Sequence, residues 1–361
     1  MSQAPASDYI VAFVEAAEAD YIRMGGKCSS LARMIKAGVR VPEGFAVTTD
    51  AYVRHLDANQ LATRVGEIVN SIDVENVEDE ARKAARVREI ISSSAMPADV
   101  EAAIRAAYLK MSPDGDLPVA VRSSATAEDM PDASFAGQQD TYLWVVGADE
   151  IVDKVKSCWA SLFNARAISY REKNHIGATD VLMSVGVQKM VDAYAAGVAM
   201  TLDPITGDRT KIVIDSAFGL GEPVVSGEIT PDNFVVEKVM LTIAKRRIAV
   251  KDFELVADRA ARQTVSRVIE PERRTLSSLS DLQVLAVAKL AKSLERTMGG
   301  PQDVEWAIDR DLPAEDGVVA LQSRPETIWS RKPKPASGQR FSTGIEGVLG
   351  ALLTPLNAKN N

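Results

Sequence analysis

Two short apolar–polar alternations near the C-terminal end constrain this chain most, because they lie close enough together to form one hairpin. In Asp303-Val304-Glu305-Trp306-Ala307-Ile308, the two-residue period of a strand puts Asp303 and Glu305 on one face and Val304, Trp306 and Ile308 on the other. In Val318-Val319-Ala320-Leu321-Gln322-Ser323-Arg324, Gln322 and Arg324 share a face, and Val319 and Leu321 take the opposite one. A turn centred near Pro313-Ala314 sets Glu305 opposite Gln322, Asp303 opposite Arg324, Trp306 opposite Leu321 and Ile308 opposite Val319. Polar meets polar and apolar meets apolar in this register. One sheet face then collects two carboxylates, an amide and a guanidinium. Hard oxygen ligands of this kind suit Mg2+ bound together with phosphates, and an arginine beside them neutralises phosphoryl oxygens. A solvated face with a cross-strand ion pair satisfies the same pattern.

The rest of the chain reads as mixed helix and strand. A helical segment over 29–37 ends at Gly38, and Val39 to Thr48 alternates like a strand. Residues 60–110 are helical, punctuated by Pro97. Val119-Ala120-Val121 is a short apolar strand that feeds a polar loop, Arg122 to Gln139, and a second strand runs from Thr141 to Val146. The stretch 149–173 reads as one amphipathic helix, with Val152, Val155, Trp159, Leu162 and Phe163 on one side. Strands follow at 183–191, 198–202 and 211–216. A helix over 281–298 opens with the capping box Ser280/Gln283 and stops at Gly299-Gly300-Pro301.

Several loops could hold phosphate. Gly25-Gly26-Lys27 puts a lysine and a pliable backbone near a helix N-terminus, although Tyr21 and Cys28 stand where a Walker A loop has glycine and Ser/Thr. Arg122-Ser123-Ser124 places a cation and hydroxyls at a strand end, Gly137 allows close backbone approach, and Gly219-Leu220-Gly221-Glu222 follows a strand. Each is equally an ordinary turn or polar connection when taken alone.

Composition excludes some partners. The 361 residues carry a formal charge of −8 with no Lys/Arg run long enough for a nucleic-acid footprint, which argues against nucleic acid but not against a nucleotide held by a few placed cations. No apolar run is long enough for a membrane span and no secretory signal is visible. Cys28 and Cys158 lack metal or redox spacing, so the expected location is cytoplasmic. The two histidines, His55 and His175, have no ligand-like neighbours and read as structural.

Taken in order, GGK at 25–27, VPEGFAVTTDAY at 41–52, VAVRSSATAEDMPDASFAGQQDTYL at 119–143, VGVQKMV at 185–191, TLDPITG at 201–207, GLGE at 219–222, DVEWA at 303–307 and LQSRPET at 321–327 resemble the N-terminal nucleotide-binding domain of the phosphoenolpyruvate synthase and pyruvate phosphate dikinase family. The resemblance implies an α/β (α+β), ATP-grasp-type two-lobed nucleotide-binding fold. The expected lobes are 1–180 and 181–330, with a linker and tail over 331–361. It further implies that Lys27 and Arg122 grip ATP phosphates, that Gly137 and Thr141 lie along the nucleotide, and that Gln188 sits by the adenine. Glu305 and Gln322 match the family's metal-and-phosphate pair, with Asp303 beside them and Arg324 as the phosphoryl-stabilising cation. The implied catalytic residues are Arg122, Glu305 and Arg324, the metal ligands Asp303, Glu305 and Gln322, and the cofactors ATP with Mg2+ or Mn2+.

In that family the phosphorylated histidine sits in a swivelling domain, and neither His55 nor His175 lies in a matching loop. The expectation is therefore a larger partner subunit that carries the phosphohistidine and the acceptor site. A stand-alone chain of this kind resembles the ATP-binding subunits of phenylphosphate synthases, which implies phenol as acceptor with release of AMP and phosphate. Pyruvate is the alternative acceptor, and a nucleotide sensor that transfers nothing is the alternative of another class.

Overall fold

Two antiparallel sheets organise the chain. The structure, a computed structural model, describes residues 9–126, 140–173, 177, 180–313 and 317–330. The first sheet contains β1 (Ile10–Ala12), β2 (Gly44–Val47), β3 (Val119–Ala125), β4 (Thr141–Val145) and β5 (Met183–Lys189), in the order β1-β2-β5-β3-β4. Strand alternation sorts its side chains. Val119 and Val121 of β3, and Val185 and Val187 of β5, enter a core shared with helices, while Ala120, Arg122 and Gln188 take the other face.

Of the seven α-helices among the described residues of this half, α1 (Tyr21–Lys36) stands apart from α2 (Thr49–Ala58), α3 (Leu61–Asn70), α4 (Val77–Ser93), α5 (Ala98–Met111), α6 (Ala148–Ser161) and α7 (Ala165–Lys173). The last six contribute to the helical core, through Tyr52, Val65, Val87, Ile104, Trp159 and Ile168 among others. The stretch expected as one helix over 149–173 is two. Leu162 to Asn164 interrupt it, and the Asn164 Oδ1 accepts the Ala167 N–H at 2.8 Å to restart the helix.

The second half supplies β6 (Ala193–Met200), β7 (Lys211–Phe218), α8 (Glu222–Ser226), β8 (Asp232–Glu237), β9 (Thr242–Arg247), β10 (Phe253–Asp258), β11 (Gln263–Val268), α9 (Pro271–Arg274), α10 (Asp281–Met298), β12 (Gln302–Asp309) and β13 (Val318–Pro325). Six of these strands form the second sheet, in the order β13-β12-β6-β7-β8-β9, and β10 and β11 make a separate hairpin. The capping box of Ser280 and Gln283 starts α10 as expected, and Gly299 ends it in the left-handed conformation. One face of the second sheet packs on α10 and α1, burying Val304, Trp306, Ile308, Ala320, Val287 and Leu294 with Met24 and Leu31. The first sheet takes in residues 183–189, and the second sheet begins at Ala193.

A buried ion pair ties the second half together. Lys251 Nζ donates to Asp232 Oδ1 at 2.6 Å with both side chains fully buried, and Asp232 also accepts from Ser278 and the Ala249 amide. Such a pair depends on these extra bonds to offset the cost of removing two charges from water. The described residues through Glu326 form one compact unit. The expected linker and tail at 331–361, with Gly137, His175 and Ala314, lie outside the described residues.

Candidate functional site

The predicted hairpin exists, with half of its predicted register. Asp303 faces Arg324, Val304 faces Ser323 and Glu305 faces Gln322; the ladder then shifts, so Trp306 faces Ala320 and Ile308 faces Val318. Leu321 is the extra residue of a β-bulge. The expected pairs Trp306–Leu321 and Ile308–Val319 are thereby corrected. The bulge explains how both sides of the strand are used: Val318 and Ala320 join the α10 core, while Val319, Leu321, Gln322 and Arg324 all turn to the opposite side. A regular strand would have sent Leu321 and Gln322 to opposite faces.

The other wall carries a matching irregularity. Arg122 pairs with Thr141, and Val121 with Tyr142, but Val119 pairs with Val145, so β4 holds one extra residue. Leu143 and Trp144 consequently both join the small core between the sheets, while Tyr142 and Val145 join the helical core. Trp144 takes φ +59°, a left-handed backbone that costs a non-glycine residue about 1–2 kcal/mol. Arg122 itself lies within β3 and not in the loop that the sequence suggested, because the strand continues to Ala125.

Between these walls lies a cavity of ≈ 430 Å³. Its lining includes Lys27, Arg122, Thr141, Gln188, Glu305, Gln322 and Arg324, which are the predicted site residues apart from Gly137 and Asp303. Arg122 Nη1 reaches Glu305 Oε2 across the cavity at 3.8 Å, and its buried Nε finds no hydrogen-bond partner among the described residues. Asp303, two residues along β12 from Glu305, is outside the lining, and its Oδ2 is 3.5 Å from Arg324 Nε. Burial pushes the Asp303 carboxyl above the usual carboxylate range, against the opposing pull of Arg324.

Gly25 positions the lysine. Helix α1 breaks there, at φ +69° and ψ 175°, and a second helical segment starts beside the cavity with Gly26 and Lys27 on its wall. A methyl group on Gly25 would sit 2.1 Å from the Ser124 carbonyl oxygen, so only glycine lets these two backbones meet. Ser124 Oγ accepts the Cys28 N–H at 3.1 Å and donates to Met24 O at 2.9 Å, and Lys27 Nζ donates to Ser123 O at 3.1 Å. The Gly-Gly-Lys turn and the Arg-Ser-Ser strand are thus one corner, brought together from sequence positions about a hundred residues apart.

Gln188 is buried and its Nε2 donates to Pro42 O at 3.4 Å. The apolar lining was not among the predicted site residues: Ala120, Leu143, Met190, Val191, Leu220, Ala307 and Leu321. The motif at 185–191 already contained Met190 and Val191, but nothing local tells a cleft-facing apolar residue from a core one. Four cations, Lys27, Arg122, Lys189 and Arg324, face two carboxylates, Glu222 and Glu305, inside a chain whose formal charge is −8. That local excess focuses an attractive field on an anion. A cavity with a cationic, amide-bearing end and an apolar end suits a molecule built the same way, as a nucleoside polyphosphate is.

His55 does not belong to this site. It is buried, its Nε2 lies 3.2 Å from the Ile91 carbonyl oxygen, and its ring stacks at 5.1 Å on Trp159. Among the described residues, no helix is long and apolar enough to cross a membrane, and no three His, Cys, Asp or Glu side chains are grouped as a metal site.

Residues 22–344 match the family model described as pyruvate phosphate dikinase, AMP/ATP-binding domain, and the chain belongs to this family of dikinase ATP-binding domains. Among curated relatives, the phosphoenolpyruvate synthase of Aeropyrum pernix is 42% identical over 346 residues, covering 88% of this chain and 42% of the relative. That of Pyrococcus furiosus is 38% identical over 360 residues, covering 88% and 44%. The chain spans less than half the length of these relatives. A solved D-cycloserine synthetase, DcsG, aligns over 82% of the chain at 10% identity with a TM-score of 0.29, too low to bear on the fold.

Proposed function

We propose that this chain is the ATP-binding part of a phosphoenolpyruvate synthase (pyruvate, water dikinase), an ATP-grasp-type site that phosphorylates a histidine supplied by another domain or subunit. The observation that carries this reading is the cavity in which Lys27, Arg122, Glu305, Gln322 and Arg324 converge beside an apolar slot. The relatives' names favour pyruvate over phenol as acceptor, which reverses the order that the sequence suggested.

In this reading, Lys27, Arg122 and Arg324 hold the triphosphate, and the apolar slot takes the base. Glu305 and Gln322, cross-strand partners on the cavity wall, would hold a divalent cation, with Asp303 two residues further along β12. Such a cation supplies charge neutralisation to phosphoryl oxygens. The incoming histidine attacks the β-phosphorus in line, AMP leaves, and hydrolysis of the pyrophosphorylated histidine releases phosphate and leaves phosphohistidine. The chain's own task is to align the phosphates and to match the charge that develops on them.

Replacing Arg324, or the cation-holding carboxylate of Glu305, with alanine should lower AMP formation by roughly 10³-fold or more with the fold intact, the scale of losing a group that neutralises charge in phosphoryl transfer. The assay supplies the histidine-bearing partner and compares pyruvate with phenol. Unchanged turnover in both variants would sink the assignment. ATP binding with no partner-dependent AMP release would replace it with a nucleotide sensor.

A further inference from the structure

We infer that the carboxylate of Glu222 reads the sugar of the bound nucleotide by accepting hydrogen bonds from its ribose hydroxyls, an inference that rests on the nucleotide reading above.

The cavity has a direction that three strands record independently. On β3, Arg122 gives way to Ala120; on β4, Thr141 gives way to Leu143; on β12, Glu305 gives way to Ala307. Each change takes two residues, about 7 Å along a strand. The phosphates therefore belong beside Arg122 and Glu305. The base belongs in the slot of Ala120, Leu143, Met190 and Leu220, and the sugar must lie between.

Gly221 marks that intermediate level. A Cβ built on it would lie 3.3 Å from Ala196 Cβ and 3.5 Å from the Gly197 nitrogen. Ala196 and Gly197 are the register partners of Ala307 and Trp306, two and one residues beyond Glu305 respectively. Glu222 follows at once and lines the cavity. Its carboxylate has no cation or hydrogen-bond partner among the described residues, in contrast to Glu305, which meets Arg122.

An unpaired acid near a polyphosphate weakens binding through like-charge repulsion unless it accepts protons that only the correct ligand offers. A ribose presents two adjacent hydroxyl donors, the arrangement that the two oxygens of one carboxylate can accept together. The base offers an alternative donor in the adenine amino group, which ITP lacks, so a comparison of ATP with ITP separates the two.

Calorimetric titration of the full chain with ATP, 2′-deoxy-ATP, 3′-deoxy-ATP and ITP tests the assignment, alongside the Glu222→Ala and Glu222→Gln variants. Because Glu222 is exposed, both variants should fold, and thermal unfolding checks this. The unaltered chain should prefer ATP to at least one deoxynucleotide by about ten- to a hundredfold, the effect of losing a hydrogen bond to a charged group. Glu222→Ala should erase that preference, Glu222→Gln should reduce it, and the ATP-to-ITP ratio should stay unchanged. The inference is overturned if the unaltered chain ignores the sugar, if the variants keep the preference, or if the ITP ratio collapses instead. Failure of the unaltered chain to bind ATP at all would instead overturn the nucleotide reading itself, and this inference with it.

Discussion

The two walls of the cleft present the same kind of surface and are built in opposite ways. The β12–β13 wall is local: Glu305 and Gln322 meet through one hairpin, and a single bulge at Leu321 separates the polar pair from the apolar ones. The facing wall is assembled at long range, with Lys27 and Ser124 of α1 and β3 joined through Gly25 and Thr141 brought in from β4. Both walls place a bulge just past their polar pair and use the extra residue to add apolar surface to the cleft. The difference teaches where tolerance should lie. A hairpin can re-pair around a lost residue, whereas a corner in which two backbones touch has nowhere to move.

The largest effect should come from breaking that corner. Gly25→Ala combines a left-handed backbone with a methyl overlapping the Ser124 carbonyl, and should cost about 3 kcal/mol in urea unfolding while abolishing ATP binding. Full stability in this variant would show that the corner can relax. Ser124→Ala removes two buried hydrogen bonds, one from the Cys28 N–H and one to the Met24 carbonyl, and should cost about 1–3 kcal/mol, read the same way.

Deleting Leu321 probes the other wall. The deletion leaves a regular ladder with Glu305 still opposite Gln322 and Trp306 still opposite Ala320. The fold should survive by circular dichroism, and ATP affinity should fall roughly tenfold through lost apolar contact. Loss of folding would mean that the bulge is needed for the sheet and not only for the cleft.

The smallest effect concerns His55, remote from both walls. Burial holds its folded pKa below the ordinary 6.5. The unfolded chain therefore takes up the proton first as pH falls. This contribution to stability is complete above about pH 6.5 and declines as pH drops through that value toward the folded pKa. His55→Gln should give a flatter stability profile than the unaltered chain between about pH 7 and pH 5, measured by thermal unfolding. Identical profiles would place the imidazole in contact with solvent.

Legibility in the sequence followed the range of the contacts. Asp303, Glu305, Gln322 and Arg324 could be paired by alternation alone, since strand period and turn position define a hairpin. The break between α6 and α7 was hidden because apolar residues on both sides kept a helical rhythm across Leu162–Asn164. The bulges were hidden for a related reason: Leu321 and Leu143 are acceptable in a core or in a cleft, and only the register of the neighbouring strand decides which. Strands β8 to β11 were not anticipated, and the Lys251–Asp232 pair among them is buried although lysine and aspartate are ordinarily exposed.

By itself the sequence determined the polar face of the hairpin and the two ends of α10, including its capping box. These depend on neighbours a few residues away, and the chain's own periodicity specifies them. Together with the resemblance of its ordered motifs, it also pointed to the dikinase ATP-binding family. Only the tertiary structure decided that Gly25 rests on Ser124, that Arg122 reaches Glu305 across the cavity, and that two bulges turn extra apolar side chains into it. The first two depend on packing between segments about a hundred residues apart or more, where local pattern carries no information about distance, and the bulges depend on the register of the neighbouring strand.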